Sequence, residues 1–327
     1  MWLDDATQAP GAALDSTVTF VRFGIQHAMG DPAWVPAILA PEALRRFARC
    51  AEDGGWDALA FTDHPAPSTR WVASGGEGVA DPFSSLGFCA ALTDRIRLLT
   101  WVLVASYRNP LLAAHQIATL DAISGGRVTL GLGTGYLKSE FHAVGADPNV
   151  RLEQFDEAVA VMKMAWTGVD VSVDGKGFSA RGVTVQPPVV QQPHPPLWIH
   201  GNGPWGIERA ARMGQGWVAM MTNEVRERTI RTLPIRDLDT LARRVGELRT
   251  AMLRFDRDPD DIEVILSGHW PILDVRVGWD TAARLEEVAR LEALGVDWLV
   301  MTVCGDDPGA AEETVSAFAE QVVRPAQ

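Results

Sequence analysis

Eight times along this chain a short apolar, β-branched run is followed by a stretch of helical periodicity, and no other feature constrains the fold as much. The apolar runs are residues 18–26 (VTFVRFGIQ), 57–62 (DALAFT), 96–104 (IRLLTWVLV), 127–132 (RVTLGL), 197–200 (LWIH), 216–221 (GWVAMM), 262–266 and 297–303 (DWLVMTV). They are apolar nearly throughout and do not alternate, so both faces of each strand are to be covered, as in a parallel sheet wrapped by helices. Helical patterns occupy residues 41–54, 82–92, 110–123, 150–167, 204–213, 237–255, 281–294 and 308–322. Pro41, Pro82, Pro110, Pro204 and Pro308 open five of them, where a missing N–H costs no hydrogen bond. Eight strand–helix units predict an α/β chain closed into a (β/α)8 TIM barrel. An open doubly wound sheet is the alternative, but it usually needs five or six strands and a Gly-rich fingerprint that this chain lacks.

Residues 169–186 (VDVSVDGKGFSARGVTVQ) alternate about a D-G-K-G turn and predict a hairpin inserted before strand five. The segment QPPVVQQPHPP follows and must be extended. Residues 1–16 read as a loose tail and 17–327 as one barrel domain, with no evident internal repeat.

Charge and cysteine usage narrow the function classes. The formal net charge is −13, a field that disfavours nucleic acid and anionic membranes. No apolar run reaches the ~18–20 residues of a membrane span. The first residues carry acids where a signal peptide needs basic ones, so the expected location is cytoplasmic. Cys50, Cys89 and Cys304 are far apart, which fits a reducing compartment. The seven histidines show no HExxH or HxH spacing, so no metal is expected.

In such a barrel, chemistry sits at the C-terminal ends of the strands. That rule selects Thr62-Asp63-His64-Pro65 after strand two, the segment from Val104, Ala105 and Ser106 to Pro110 after strand three, and Gly133-Thr134-Gly135-Tyr136 after strand four. After strand five come His200-Gly201-Asn202-Gly203-Pro204, and after strand six Met220 to Asn223. His64 can act as general acid or base, or it can be a loop histidine that caps local backbone. The run from Gly131 to Tyr136 fails the G-x-G-x-x-G test. Its glycines either let the backbone approach a bound ring or simply turn the chain. The Gly-Asn-Gly-Pro strand-to-helix turn suits a phosphate at a helix N-terminus, the alternative being a simple cap. Trp198, Trp217 and Trp298 lie in strands and read as core, and Met162, Met164 and Trp166 read as helix packing. No strand ends in the lysine that a Schiff-base aldolase would need, Lys138 being the nearest.

Together these loops resemble the luciferase-like monooxygenase superfamily, and most closely its coenzyme F-420-dependent oxidoreductases. The resemblance runs over about residues 18–222, through DALAFTDHP, DPFSSLGFCAALTDRIRLLT, LDAISGGRVTLGLGTGY-x3-EF, RLEQFDEAVAVMKMAW, QPHPPLWIHGN and IERAARMGQGW. It implies a tricyclic isoalloxazine-type ring across the strand ends, a phosphate on Gly201, Asn202 and Gly203, and His64 near the ring. It also implies a homodimer, a small organic substrate, and a non-prolyl cis peptide near Val104-Ala105-Ser106. The cofactor implied is F-420, a deazaflavin that exchanges hydride; FMN, and with it oxygen chemistry, is the alternative. A barrel that binds cofactor without turnover is another. The chain departs from the family at His200, where Gly-Gly-Asn is common, and at Gln215, where Asp-Gly-Trp is usual. Residues 27–40 and 66–80, with Trp34 and Trp71, are expected either to form part of the pocket wall, suited to an apolar or aromatic substrate, or to pack at the surface.

Overall fold

The computed structural model describes residues 20–28, 33 and 35–327, so the tail at 1–16 and Trp34 lie outside the described residues. Eight parallel strands close into a barrel: β1 (Arg22–Gln26), β2 (Ala58–Phe61), β3 (Arg97–Val104), β4 (Val128–Gly133), β7 (Leu197–His200), β8 (Gly216–Met220), β9 (Glu263–Ser267) and β10 (Trp298–Thr302), with β10 returning to β1. The remaining strands, β5 (Val171–Gly175) and β6 (Phe178–Val183), form an antiparallel pair at the expected hairpin. The helices are α1 (Val35–Ile38), α2 (Pro41–Gly54), α3 (Thr69–Ala73), α4 (Pro82–Ala90), α5 (Pro110–Ile123), α6 (Lys138–Ala143), α7 (Arg151–Trp166), α8 (Pro204–Met213), α9 (Glu224–Ile230), α10 (Leu238–Leu253), α11 (Thr281–Ala293) and α12 (Pro308–Phe318). Chain predicted to continue helically to 322 instead passes through a π-helical turn, Ala319–Val323.

Two apolar layers hold the barrel. Trp101, Trp198, Val218, Ile265, Trp298 and Val300 fill its interior, and a larger cluster lies between strands and helices. At the N-terminal end, Glu263 accepts from the indole N–H groups of Trp198 (2.9 Å) and Trp298 (3.1 Å) and pairs with Arg22 (2.7 Å). Two tryptophans thus enter the interior without an unpaired N–H. Trp217 packs in the outer layer, fully buried. Met162 and Trp166 are buried, whereas Met164 faces out.

A positional repetition too short to show as a sequence repeat fastens the barrel floor. Asp57, Gln215 and Asp297 each stand just before a strand, and each accepts the N–H of a residue on the neighbouring strand: Phe23 (2.7 Å), Leu197 (3.1 Å) and Val264 (2.7 Å). The departure at Gln215 therefore replaces a carboxylate oxygen with an amide oxygen in the same acceptor role.

The GLGTG run is shaped by strand three. β3 and β4 slip register between Thr100 and Leu103. A Cβ on Gly131 would fall on the Thr100 carbonyl oxygen, and one on Gly133 would lie 2.6 Å from Val102 Cγ2. Gly135 has φ 72°. The first two glycines let two strands close up and the third permits the left-handed turn, so the chain-packing reading accounts for all three. A non-prolyl cis peptide is present in β3, at Trp101–Val102, slightly ahead of the expected Val104-Ala105-Ser106. It falls within the stretch where the register slips, ahead of the strand end.

Candidate active site

The C-terminal ends of β2, β3 and β4 bring one polar cluster together around His64. Its Nδ1 lies 3.0 Å from Oε2 of Glu140, a carboxylate in α6 with no solvent exposure. Glu140 also accepts from the Tyr107 hydroxyl (2.9 Å) and from the Ala66 N–H (3.1 Å). A carboxylate oxygen accepts, so this contact suits a ring proton on Nδ1, with Nε2 as the acceptor of the neutral ring. On that side the Tyr136 hydroxyl lies 3.4 Å away, and the ring of Trp71 is 5.2 Å from the imidazole. Burial, reinforced by the charges of Glu77 and Glu140, pushes the Tyr136 phenol upward, so it keeps its proton. The Tyr107 phenol is raised for the same first reason, with Glu140 adding to it. Burial also raises the Glu77 carboxyl, opposed by His64 in its protonated form and by the charge of Arg226. The cluster holds a histidine oriented from behind by a buried carboxylate, an arrangement with the chemistry to exchange a proton.

The Asp63 side chain, selected at the end of strand two, is engaged within the chain. Both its oxygens are engaged by Arg108 (2.7 Å to Nη2), and one also accepts the Val104 N–H at 3.0 Å. Asp63 ties the loop after β2 to the end of β3. Val104, Ala105 and Ser106 follow at that strand end and are buried, with the Ser106 hydroxyl donating to the Thr134 carbonyl (3.3 Å). Gly133, Thr134, Gly135 and Tyr136 lie alongside them.

The second predicted group gathers at the ends of β7 and β8. Asn202 is fully buried, and its amide is used up: it donates to the carbonyls of Met220 (2.8 Å) and Leu233 (2.9 Å) and accepts the Met220 N–H (2.9 Å). Its side chain is therefore a clip between two loops, which leaves the main chain of Asn202 as the part that can meet a phosphate. Gly201, with φ 150°, packs its carbonyl against Gly206, whose Cβ would lie 2.5 Å from that oxygen. Gly203 caps α8, and Pro204 takes its first position. Helix starts leave backbone N–H groups without intrahelical partners, so a phosphate seat here rests on main-chain groups. His200 ends β7 with an Nε2 that has no solvent contact and no hydrogen-bond partner among the described residues. A buried polar atom left without a partner at the barrel mouth fits a polar ligand that supplies one.

Four residues of the site had no role assigned from sequence. Glu140 lay within the Y-x3-EF motif, Tyr107 and Arg108 within the segment selected after strand three, and Glu77 within the 66–80 wall segment. Asp274, Cys304 and Asp306 also converge, their ligand atoms within 4.8 Å of one another. The Arg276 guanidinium pairs with both carboxylates (2.6 and 2.7 Å), so the position a cation would take is already served.

The comparisons with known proteins agree with this architecture. The family model described as luciferase-like monooxygenase matches residues 18–294. An F420-dependent glucose-6-phosphate dehydrogenase of Beutenbergia cavernae is 30% identical over 302 residues, covering 86% of this chain and 85% of that protein. Among solved structures, a monooxygenase from Streptomyces bottropensis superposes with a TM-score of 0.75 at 22% identity, covering 94% of this chain and all of that one. The coenzyme F420-dependent tetrahydromethanopterin reductase of Methanopyrus kandleri gives 0.69 at 17% identity, again over 94% of this chain and 100% of that one. With a closed eight-stranded barrel and a family match over most of its length, this chain belongs to the luciferase-like monooxygenase family of enzymes.

Proposed function

We propose that this protein is a coenzyme F-420-dependent oxidoreductase that moves a hydride between the deazaflavin and a small organic substrate. The observation that carries the reading is the likeness, over 86% of the chain, to an enzyme named for its F420 dependence, joined to an oriented histidine at the barrel mouth. When bound, the cofactor supplies a two-electron carrier that accepts or gives hydride at ring carbon. The chain's own part is to seat, orient and protonate. The end of β3 and the loop after β4 (Val104 to Ser106, Gly133 to Tyr136) would wall the ring, and the start of α8 would hold its phosphate. His64 Nε2, backed by Glu140, would take the proton from a substrate hydroxyl on oxidation, or return one on reduction. Trp71 beside His64 supplies an apolar wall for that substrate.

The working form in this reading is a single-domain barrel paired as a homodimer. Most helices of the outer ring carry charges; α2 alone has Glu42, Arg45, Arg46, Arg49, Glu52 and Asp53. The adjacent helices α4 and α5 hold no Lys, Arg or Glu, and their one acid, Asp121, is buried. Leu112 and Ile123 are nevertheless more than half exposed there. A charge-free apolar face lets two chains of net charge −13 meet without like-charge contact, and sedimentation of the native protein reads the outcome. No helix among the described residues is long and apolar enough to cross a membrane. The three unpaired cysteines favour a cytoplasmic location.

The test is a titration of tryptophan fluorescence with F-420 and, separately, with FMN, followed by turnover of His64→Ala. Selective micromolar binding of F-420, with turnover lost but binding kept in the variant, is the expected result. Selective binding of FMN would move the activity to flavin chemistry, and unchanged kinetics in His64→Ala would remove that residue from the reaction.

A further inference from the structure

We infer that His200 reads the heterocyclic ring of the bound cofactor through its Nε2 atom, and is not part of the phosphate seat. This assignment rests on the function proposed above. Along β7 the side chains alternate: Trp198 belongs to the interior cluster and Ile199 to the outer one. His200 shares the Trp198 face and pairs in register with Val218, another interior residue. Its imidazole therefore faces the barrel interior at the mouth, beyond Trp198 along β7 and beside Val218 on β8.

The phosphate seat lies elsewhere. It begins at Gly203 and Pro204, where α8 starts, and α8 packs Ile207 and Ala210 into the layer outside the barrel wall. Charge separates the two ligands further. Burial pushes the His200 imidazole down to about 4, so it is neutral at physiological pH. A phosphate dianion favours a protonated imidazole, which this burial opposes. The amide-like edge of a tricyclic flavin or deazaflavin offers uncharged N–H and C=O groups, and a neutral imidazole pairs with those without burying a charge. A glycine at this position, as in Gly-Gly-Asn relatives, leaves the ring edge without that partner.

The experiment measures dissociation constants of the full-length protein by tryptophan quenching. It compares native protein, His200→Leu and His200→Gln with F-420, with its phosphate-free ring–ribityl fragment, and with the pair FMN and riboflavin. His200→Leu is expected to weaken the phosphate-bearing and phosphate-free forms alike, by about tenfold, the worth of one hydrogen bond. His200→Gln, which places an amide near the Nε2 position, keeps affinity within about threefold. The unliganded Tm of His200→Leu is not lowered, because an unpaired buried polar atom has been removed, while the ligand-induced rise in Tm shrinks. Unchanged affinity in His200→Leu, or a loss confined to the phosphate-bearing forms, overturns the assignment while leaving the proposed function in place. Failure of the native protein to bind either F-420 or FMN overturns both.

Discussion

Replacing Glu140 with glutamine changes one atom and reverses the hydrogen-bond logic behind His64. The carboxylate now accepts three bonds: from His64 Nδ1, the Tyr107 hydroxyl and the Ala66 N–H. In Glu140→Gln the Ala66 N–H still requires an oxygen, so the amide oxygen turns to it and the NH2 group faces His64 and Tyr107. A donor facing Nδ1 makes that nitrogen the acceptor, and the ring proton moves to Nε2, which can then no longer take a proton from substrate. Wrong-tautomer variants of histidine-based sites lose about 10²–10⁴-fold in turnover, or roughly 3–5 kcal/mol of barrier. Cofactor affinity stays unchanged, and the fold survives because the Tyr107 hydroxyl can accept from the amide. Glu140→Ala differs: it strands the Ala66 N–H and the Tyr107 hydroxyl, at about 1–3 kcal/mol each, out of the 5–15 that a domain commands. The assay is 15N NMR of the His64 ring, which needs no substrate, followed by turnover. A ring proton that stays on Nδ1 in Glu140→Gln, or a native rate, refutes this reasoning.

Two further outcomes are expected of the scaffold. His27 is buried against Phe61 and Phe47, and burial lowers its imidazole to about 4 from 6.5. The unfolded chain therefore binds the extra proton first, so stability falls as pH drops from 6.5 toward 4. By pH 4.5 this one group costs roughly 2–3 kcal/mol, and urea unfolding of His27→Phe should show a shallower loss by about that amount, whereas parallel pH profiles would contradict it. At the barrel floor, Gln215→Ala should cost about 1–2 kcal/mol by stranding the Leu197 N–H. Asp57→Asn should be neutral or stabilising in the same unfolding assay, since burial already raises that carboxyl and an amide oxygen can take its place as acceptor.

The barrel was legible because its signal is long and repeated eight times. Strand ends differ from the expected bounds by a few residues; the third, for example, starts at Arg97 where Ile96 was expected. What escaped are α1, α3, α6 and α9, which span four to seven residues. Each makes at most two turns, too few to establish a 3.6-residue period. The site was half legible for a different reason. A polar residue at a strand end looks the same in sequence whether it faces a ligand or the next loop, and Asp63 and Asn202 face loops. The partners of Glu140 are 76, 74 and 33 residues away, so nothing beside it in the chain announces its role.

The motif that identifies the family is largely scaffold. Asp121 of LDAISGGR accepts the N–H groups of Val190 (2.7 Å) and Gln191 (3.0 Å) and so fixes the Pro-rich segment. Arg127 donates to the carbonyls of Ala90, Thr93, Ile96 and Ser124 and to the Thr93 hydroxyl. Gly131 and Gly133 serve the approach of two strands. Such residues can stay fixed while the chemistry changes, which is why a resemblance built on them reports the frame and not the substrate. Selectivity must come from the segments that cross the mouth. The loop after β2 brings Trp71 and Glu77 toward His64, and α9 brings Arg226, which donates to the carbonyls of Met221 and Gly268 (both 3.3 Å) and acts on the Glu77 carboxyl. Two segments from different parts of the barrel rim thus share one electrostatic environment at the site. Substitutions at Trp71, Glu77 and Arg226 are therefore expected to change which substrate is accepted, while those at Asp121 or Arg127 change only whether the barrel stands.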